Sequence, residues 1–349
     1  MEETWVARGP NWCRGHCDCE WGRRLTTSET LKLSRYRNLS HYSRKDTKVR
    51  SRTNHTLFKF RPSLNTYEMK FTAPLLLAAG AATASAAVNP TVTLNNGVEM
   101  PLVALGVWQY DNATAADAIA KGLKVGFTHI DTAYNYYNQQ GVGQALAKFP
   151  RDSFFLTTKT PPCTKGTSES DCYAQTKEQL AYDLTALQMD HVDLVLIHGT
   201  SGDFDSACDA DACALDYAQW RAYEEFYADG KARAIGVSNY CVSCLDCLYS
   251  KNLTVKPAVN QVQYHVGMGQ DANTQKLLTD CTSYDVVPQA YSPLGNGKLI
   301  SDADLVKIGA NYNKTAAQVA LKWIVSQGFP LATKADNVEY LEEVRCGVR

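Results

Sequence analysis

The 349-residue chain has almost no net charge: 35 lysines and arginines stand against 36 aspartates and glutamates, giving −1 with neutral histidines. That balance offers no general electrostatic reason to bind nucleic acid or an anionic membrane surface. No uninterrupted apolar run is long enough for a convincing membrane-spanning helix, and no repeat of roughly 20 to 50 residues points to a solenoid. No Gly-x-Gly-x-x-Gly follows the first predicted strand, so the phosphate-binding turn of a Rossmann nucleotide site is missing. A His-x-His pair after an early strand is missing too. This argues against a metal-dependent barrel hydrolase, and no metal ligands are expected in the body of the chain.

The even balance hides two unlike parts. Residues 1–68 hold 14 basic against 7 acidic residues, leaving 21 basic and 29 acidic in the remainder. This basic arm has neither a 3.6-residue nor a 2-residue apolar period and is expected to lack a packed core, as a disordered or spurious extension. Cys13, Cys17 and Cys19 with His16 have no second ligand pair at a zinc-finger spacing. Residues 69–87, MKFTAPLLLAAGAATASAA, have the layout of a secretory signal: a lysine, a short apolar stretch, then small residues at Ala84, Ser85 and Ala86. The expectation is translation from Met69 and export to an oxidising compartment; used from Met1, the protein would be cytoplasmic.

Cysteine usage in residues 88–349 agrees with that expectation. Cys163 and Cys172 bracket a short loop, as do Cys208 and Cys213 in SACDADAC, and each pair is a candidate bridge. The CVSCLDC run resembles half of an iron–sulfur motif but lacks the following Cys-Pro, and its cysteines fall along one predicted helix. Disulfides or plain burial are expected there. Asn112, Asn252 and Asn313 each open an Asn-x-Thr triplet compatible with glycosylation.

The remaining pattern is that of an α/β protein. TVTL and VEMPLV flank Asn95-Asn96-Gly97, a hairpin signal read as a type I′ turn. Short apolar runs (FTHID, FFLTTK, VDLVLIH, RAIGVS, AVNQVQ, VVPQAYS, FPLATK) then alternate with amphipathic stretches such as AADAIAKGLKVG and KTAAQVALKWIVSQG. Alternation of this kind predicts a parallel sheet with covering helices. The chemically capable residues sit at the ends of successive runs: Asp131, Lys159, His198, Ser238 with Asn239, Gln261 and Tyr291. In a (β/α)8 TIM barrel all strand ends converge on one face, so these distant residues would share one pocket.

In that order and spacing, MPLVALGVWQY, GFTHIDTAYNYYNQQGVGQAL, LQMDHVDLVLIH, GKARAIGVSNY, KPAVNQVQYH and QAYSPLG resemble the aldo-keto reductases from about Leu94 to Glu343. The resemblance implies a barrel with an N-terminal β-hairpin over 88–349 that binds NAD(P)H without a Rossmann domain. It implies a catalytic set of Asp131, Tyr136, Lys159 and His198. Tyr136 would give a proton to the carbonyl oxygen, Lys159 would lower the tyrosine's pKa, Asp131 would hold the lysine, and a neutral His198 would orient the carbonyl. Ser238, Asn239 and Gln261 would hold the nicotinamide carboxamide, Tyr291 would stack on the ring, and Ser292 and Leu294 would line the pyrophosphate. Lys334 would approach the adenosine 2′-phosphate, favouring NADPH over the alternative NADH; Ala335 and Tyr340 depart from the family pattern beside it. Trp108 would wall the substrate pocket with His198, and Gly199-Thr200 replace a bulky Trp-Pro.

The chain stops soon after LATKADNVEYLEE. A C-terminally incomplete barrel, with an apolar helix-side face and part of the pocket exposed, is therefore expected. The reading is an oxidoreductase that reduces small aldehydes or ketones as a monomer; the alternative is a catalytically weak nucleotide-binding barrel acting as a sensor.

Overall fold

The computed structural model describes residues 89–202 and 208–348. The basic arm, its Cys13, Cys17, Cys19 and His16, and the signal-like segment 69–87 lie outside the described residues, as do residues 203–207 of the acidic loop.

Strands β1 (Thr91–Thr93) and β2 (Glu99–Pro101) pair antiparallel, with Val92 opposite Met100. The hairpin is as expected but its turn is not type I′. Only Gly97 has positive φ, at 81°, and Gly97 N donates to Leu94 O at 2.9 Å. That is a three-residue connection with a left-handed glycine at its end. The asparagines are held elsewhere: Asn95 Nδ2 donates to Pro257 O at 2.8 Å and Asn96 Nδ2 to Arg233 O at 2.9 Å. Those carbonyls sit where two barrel strands begin, so the hairpin is pinned across the N-terminal end of the barrel. There Leu94 and Met100 are buried against Phe155, Leu194, Leu196 and Val259.

Eight parallel strands then close the barrel: β3 (Val103–Gly106), β4 (His129–Asp131), β5 (Phe155–Thr160), β6 (Val192–Ile197), β7 (Ala232–Ser238), β8 (Val259–Gln263), β9 (Val287–Tyr291) and β10 (Leu331–Thr333), with β10 pairing both β9 and β3. β3 is absent from the seven apolar runs read as strands. It lies inside VEMPLVALG, one residue past the end of β2, where no turn signal separates hairpin from barrel.

The crossover helices are α1 (Asn112–Val125), α2 (Gln139–Leu146), α3 (Glu169–Leu187), α4 (Ala210–Ala228), α5 (Val242–Tyr249), α6 (Ala272–Ser283), α7 (Ala303–Ala310), α8 (Ala316–Val325) and α9 (Val338–Val348). Their starts follow side-chain chemistry: Asp111, Ser168, Asp209 and Asp271 each accept a backbone N–H of the first turn, and Thr315 forms a capping box with Gln318. α9 lays Leu341, Val344 and Val348, all buried, against its neighbours α8 and α1. These contacts cover part of the outer face beside β10, while Val338 and Tyr340 of the same helix and Ile300 and Trp108 of the cavity lining stay exposed. None of the described helices is long and apolar enough to cross a membrane.

Two disulfides form among the described cysteines. Cys163–Cys172 ties the loop after β5 to α3, as expected, while Cys213 pairs with Cys247 on α5 rather than with Cys208. Asp209 caps α4 between Cys208 and Cys213. The cap places Cys213 within the first helical turn and leaves Cys208 outside it, against Asp216.

Helix packing is closest where α2 meets the start of α1. A Cβ on Gly141 would lie 2.1 Å from Asn112 O, and Gly141 N already donates to Asn112 Oδ1 at 2.7 Å. Because the obstacle is backbone, Gly141→Ala should cost about 1–3 kcal/mol. Denaturant unfolding checks this; an unchanged midpoint would show that the two helices can separate freely.

Candidate active site

A cavity of about 1190 Å³ opens among the carboxyl ends of the strands. Asp131 ends β4, Ser238 ends β7 and Tyr291 ends β9; His198 follows β6, Asn239 follows β7, and Gln261 lies within β8. All of these line the cavity, together with Trp108, Tyr136, Ser292, Leu294 and Lys334. The predicted site residues therefore come together with one exception. Lys159, on β5, is fully buried behind the cavity wall.

The lysine's position is explained by its partners. Its ammonium donates to Asp131 Oδ1 at 2.6 Å, to Thr132 O at 2.9 Å and to Tyr136 Oη at 3.4 Å. An ammonium has three protons, and three acceptors surround this one. Burial, the largest influence, pulls Lys159 toward the neutral form, but Asp131 and Tyr136 outweigh it and its pKa stands above the ordinary lysine value. The lysine is charged at neutral pH.

Tyr136 departs from expectation. It ends a 3-10 turn, Tyr134–Tyr136, which Tyr137 closes in the left-handed region at φ 57°. Burial raises its pKa more than the Lys159 charge lowers it, so the net direction is upward. The lysine restrains the rise instead of producing the lowered value anticipated from sequence, because a phenolate here would lose its water before gaining a cation. Tyr136 is a protonated donor throughout the neutral range.

His198 packs edge-on against Tyr136, with ring centroids 5.6 Å apart. Burial, then the nearby Lys159 charge, lowers its pKa to about 3. The ring is neutral, as expected. Its Nδ1 is buried without a hydrogen-bond partner among the described residues.

The carboxamide candidates are tied to one another. Asn239, held at φ 58°, donates through Nδ2 to His198 O at 2.9 Å and accepts from Tyr291 Oη at 2.9 Å. Gln261 Nε2 donates to Asp131 Oδ2 at 2.8 Å and to Gln289 Oε1 at 2.9 Å. Both amide protons of Gln261 are thereby used, and its oxygen is the group left to accept a bond from a ligand. Ser238 Oγ donates to Gln261 O at 2.8 Å. Lys334 reaches across the rim to Gln109 Oε1 at 3.1 Å and Trp108 O at 3.3 Å, and Trp108 stands half-exposed at that rim.

Residues not singled out from sequence complete the site. Thr132 supplies a carbonyl to Lys159, and Gln289 orients Gln261. Asp183, whose pKa burial raises to about 7, accepts from Gln139 and Thr158 one residue from the lysine. A glutamine in the apolar run VVPQAY was the available signal for Gln289. Nothing in the sequence marks a backbone carbonyl. Gly199 and Thr200 do line the cavity where a bulky pair had been expected to be absent.

Residues 102–345 match the aldo/keto reductase family. The chain belongs to that family and is an NAD(P)H-dependent oxidoreductase. It is 37% identical over 243 residues to a glyoxal reductase of Bacillus subtilis (strain 168), covering 68% of this chain and 79% of that one. It is 33% identical over 260 residues to a 9,11-endoperoxide prostaglandin H2 reductase of Trypanosoma cruzi (strain CL Brener), covering 72% and 83%. A crystal structure of an aldo/keto reductase from Brucella melitensis superposes with a TM-score of 0.63 at 33% identity, covering 74% of this chain and 93% of that one.

The His198 environment carries a measurable sign. Its folded pKa of about 3 lies below the value of 6.5 for a free ring, so between those values the unfolded chain holds the extra proton. The stability contributed by the neutral ring is complete above pH 6.5 and is lost as pH falls toward 3. His198→Gln should flatten the stability–pH curve across that window by up to one proton equivalent, read from denaturant midpoints. An identical acid slope would mean that the ring titrates normally.

Proposed function

We propose that this enzyme reduces small aldehydes or ketones to alcohols, with Tyr136 as the proton donor, Lys159 and Asp131 supporting it and His198 orienting the carbonyl. The observation that carries the reading is the meeting of a protonated, partly buried tyrosine and a neutral histidine on the wall of one cavity, with a charged lysine directly behind the tyrosine. Reduced nicotinamide, when bound, supplies the hydride. Tyr136 Oη gives its proton to the oxygen as alkoxide charge develops, and Lys159, 3.4 Å away, stabilises the phenolate left behind. Asp131 keeps the ammonium aimed at the phenol. A neutral His198 can bond the carbonyl oxygen without competing as an acid.

The residues present suit the cofactor. The Gln261 oxygen is an acceptor for a carboxamide N–H, and the Tyr291 ring lies on the cavity wall. Left-handed turns at Ser292, Gly295, Asn296 and Gly297 bend the following loop in the manner that gathers backbone N–H groups around phosphate. Lys334 at the rim is the cation for a 2′-phosphate, which supports NADPH over NADH. The name of the Bacillus relative makes glyoxal a sensible member of the substrate panel.

Tyr136→Phe should lower kcat by about 100-fold or more while cofactor fluorescence quenching persists. Undiminished turnover would remove Tyr136 from the chemistry, and quenching without carbonyl-dependent oxidation in the unaltered protein would select the sensor reading. Lys334→Met should raise KM for NADPH by about tenfold, the worth of one charge-assisted phosphate contact, and leave KM for NADH unchanged; equal effects on both would place the 2′-phosphate elsewhere.

A further inference from the structure

Five cysteines gather beside the catalytic cavity, and only two of them are joined. Cys213–Cys247 links α4 to the C-terminal half of α5. At the other end of α5, Cys241 is the N-cap residue, and its side chain caps nothing. Its sulfur lies 2.7 Å from Cys244 Sγ and 3.2 Å from Ser243 Oγ. Cys244 is buried and shares a second hydrogen bond with Cys208. Cys208 in turn donates its amide to Ser243 Oγ at 3.3 Å and its thiol to Asp216 at 3.8 Å.

We propose that Cys241 and Cys244 form a redox-active dithiol, oxidised by a small-molecule disulfide, whose closure weakens cofactor binding. The two sulfurs already stand within about 0.7 Å of the ~2.05 Å covalent distance. Cys241 is only partly buried and keeps some contact with solvent, whereas Cys244 is fully buried. The exchange follows from that asymmetry. Cys241 gives up its proton and attacks one sulfur of the external disulfide, expelling the first thiol and leaving a mixed disulfide. Cys244 then gives up its proton, attacks the Cys241 sulfur and expels the second thiol. Two protein thiols are oxidised and one disulfide is reduced to two thiols. The hydrogen bond that the Cys241 thiol gives to Cys244 raises Cys241 well above its usual range, and the one that Cys244 gives to Cys208 raises Cys244 to about 11. The reduced pair is therefore protonated at neutral pH and exchanges slowly, so the geometry of the two sulfurs carries the proposal and the test is read at equilibrium.

The consequence for the active site is topological. Asn239, which ties β6 to β7 through His198 O and receives Tyr291 Oη, is two residues before Cys241. Separately, Gly199, Thr200 and Gly202 after β6 line the cavity, and Cys208 docks on the first turn of α5 through its amide. Oxidation takes the thiol protons that Cys241 and Cys244 share with Ser243 and Cys208, and draws the start of α5 together. The segment after β7 that carries Asn239 loses part of its anchor.

The effect on affinity rests on the cofactor reading above; the bond itself does not. The test uses the full chain, equilibrated in oxidised or in reduced glutathione, alkylated and mapped by peptide mass spectrometry, with parallel NADPH titrations by fluorescence. The expected result is a Cys241–Cys244 bond in the oxidised sample only, with a Kd for NADPH raised about fivefold, the lower end of ordinary coupling between sites, and restored by reduced glutathione. Cys241→Ser, at the partly buried position, should show the reduced-state Kd in both buffers. Failure of the Cys241–Cys244 bond to appear, or a Cys208–Cys244 bond in its place, overturns the site. A bond that forms while NADPH binds equally well in both samples overturns the coupling. Absence of NADPH binding in either sample counts against the cofactor reading instead.

Discussion

The buried pair of Lys159 and Asp131 is the constraint around which the rest of the site is arranged. A lysine that has lost all contact with water must have every proton accepted, or the charge is lost. Here one strand end supplies the carboxylate, the next residue supplies a carbonyl, and a short turn brings Tyr136 Oη to the third position. The tyrosine is thus placed as much by the lysine's need for acceptors as by its own packing. The other carboxylate oxygen of Asp131 holds Gln261, so the pair also orders the part of the cavity wall that β8 supplies.

Closure of the barrel makes this arrangement possible. Neighbouring parallel strands bring Asp131 of β4 beside Thr157 of β5, two residues before the lysine, and β10 completes the ring against β3. At the opposite end the hairpin fills the barrel floor with Leu94 and Met100 and is held by asparagine side chains on strand carbonyls. The two ends divide the labour: the floor is closely packed, while the loops after the strands carry the polar groups. Burial then sets the chemistry of those groups, keeping His198 neutral and Tyr136 protonated.

Much of this was legible from the linear order of residues. Polar side chains ending apolar runs marked the face on which the cavity opens, and the seven runs read as strands are all strands. What escaped was local or long-range in character. β3 was hidden because it follows the hairpin with no turn residue between them. The turn at Asn95-Asn96-Gly97 took another type because its asparagines are bound to carbonyls about 140 to 160 residues away, which no local preference registers. Cys213 found Cys247 instead of its near neighbour because a helix cap intervened.

The sequence by itself determined the reaction class through the ordered motifs that resemble the aldo-keto reductases, and it placed Asp131, Lys159 and His198 at or beside strand ends, which converge in a parallel barrel. Tertiary structure decided how those groups behave. The upward shift of Tyr136 depends on how completely it is desolvated, the use of Gln261's amide protons depends on Asp131 and Gln289 being within reach, and the pairing of cysteines depends on how α4 and α5 abut. Each of these is a property of distance and burial in three dimensions, to which residue identity and spacing along the chain contribute only the participants.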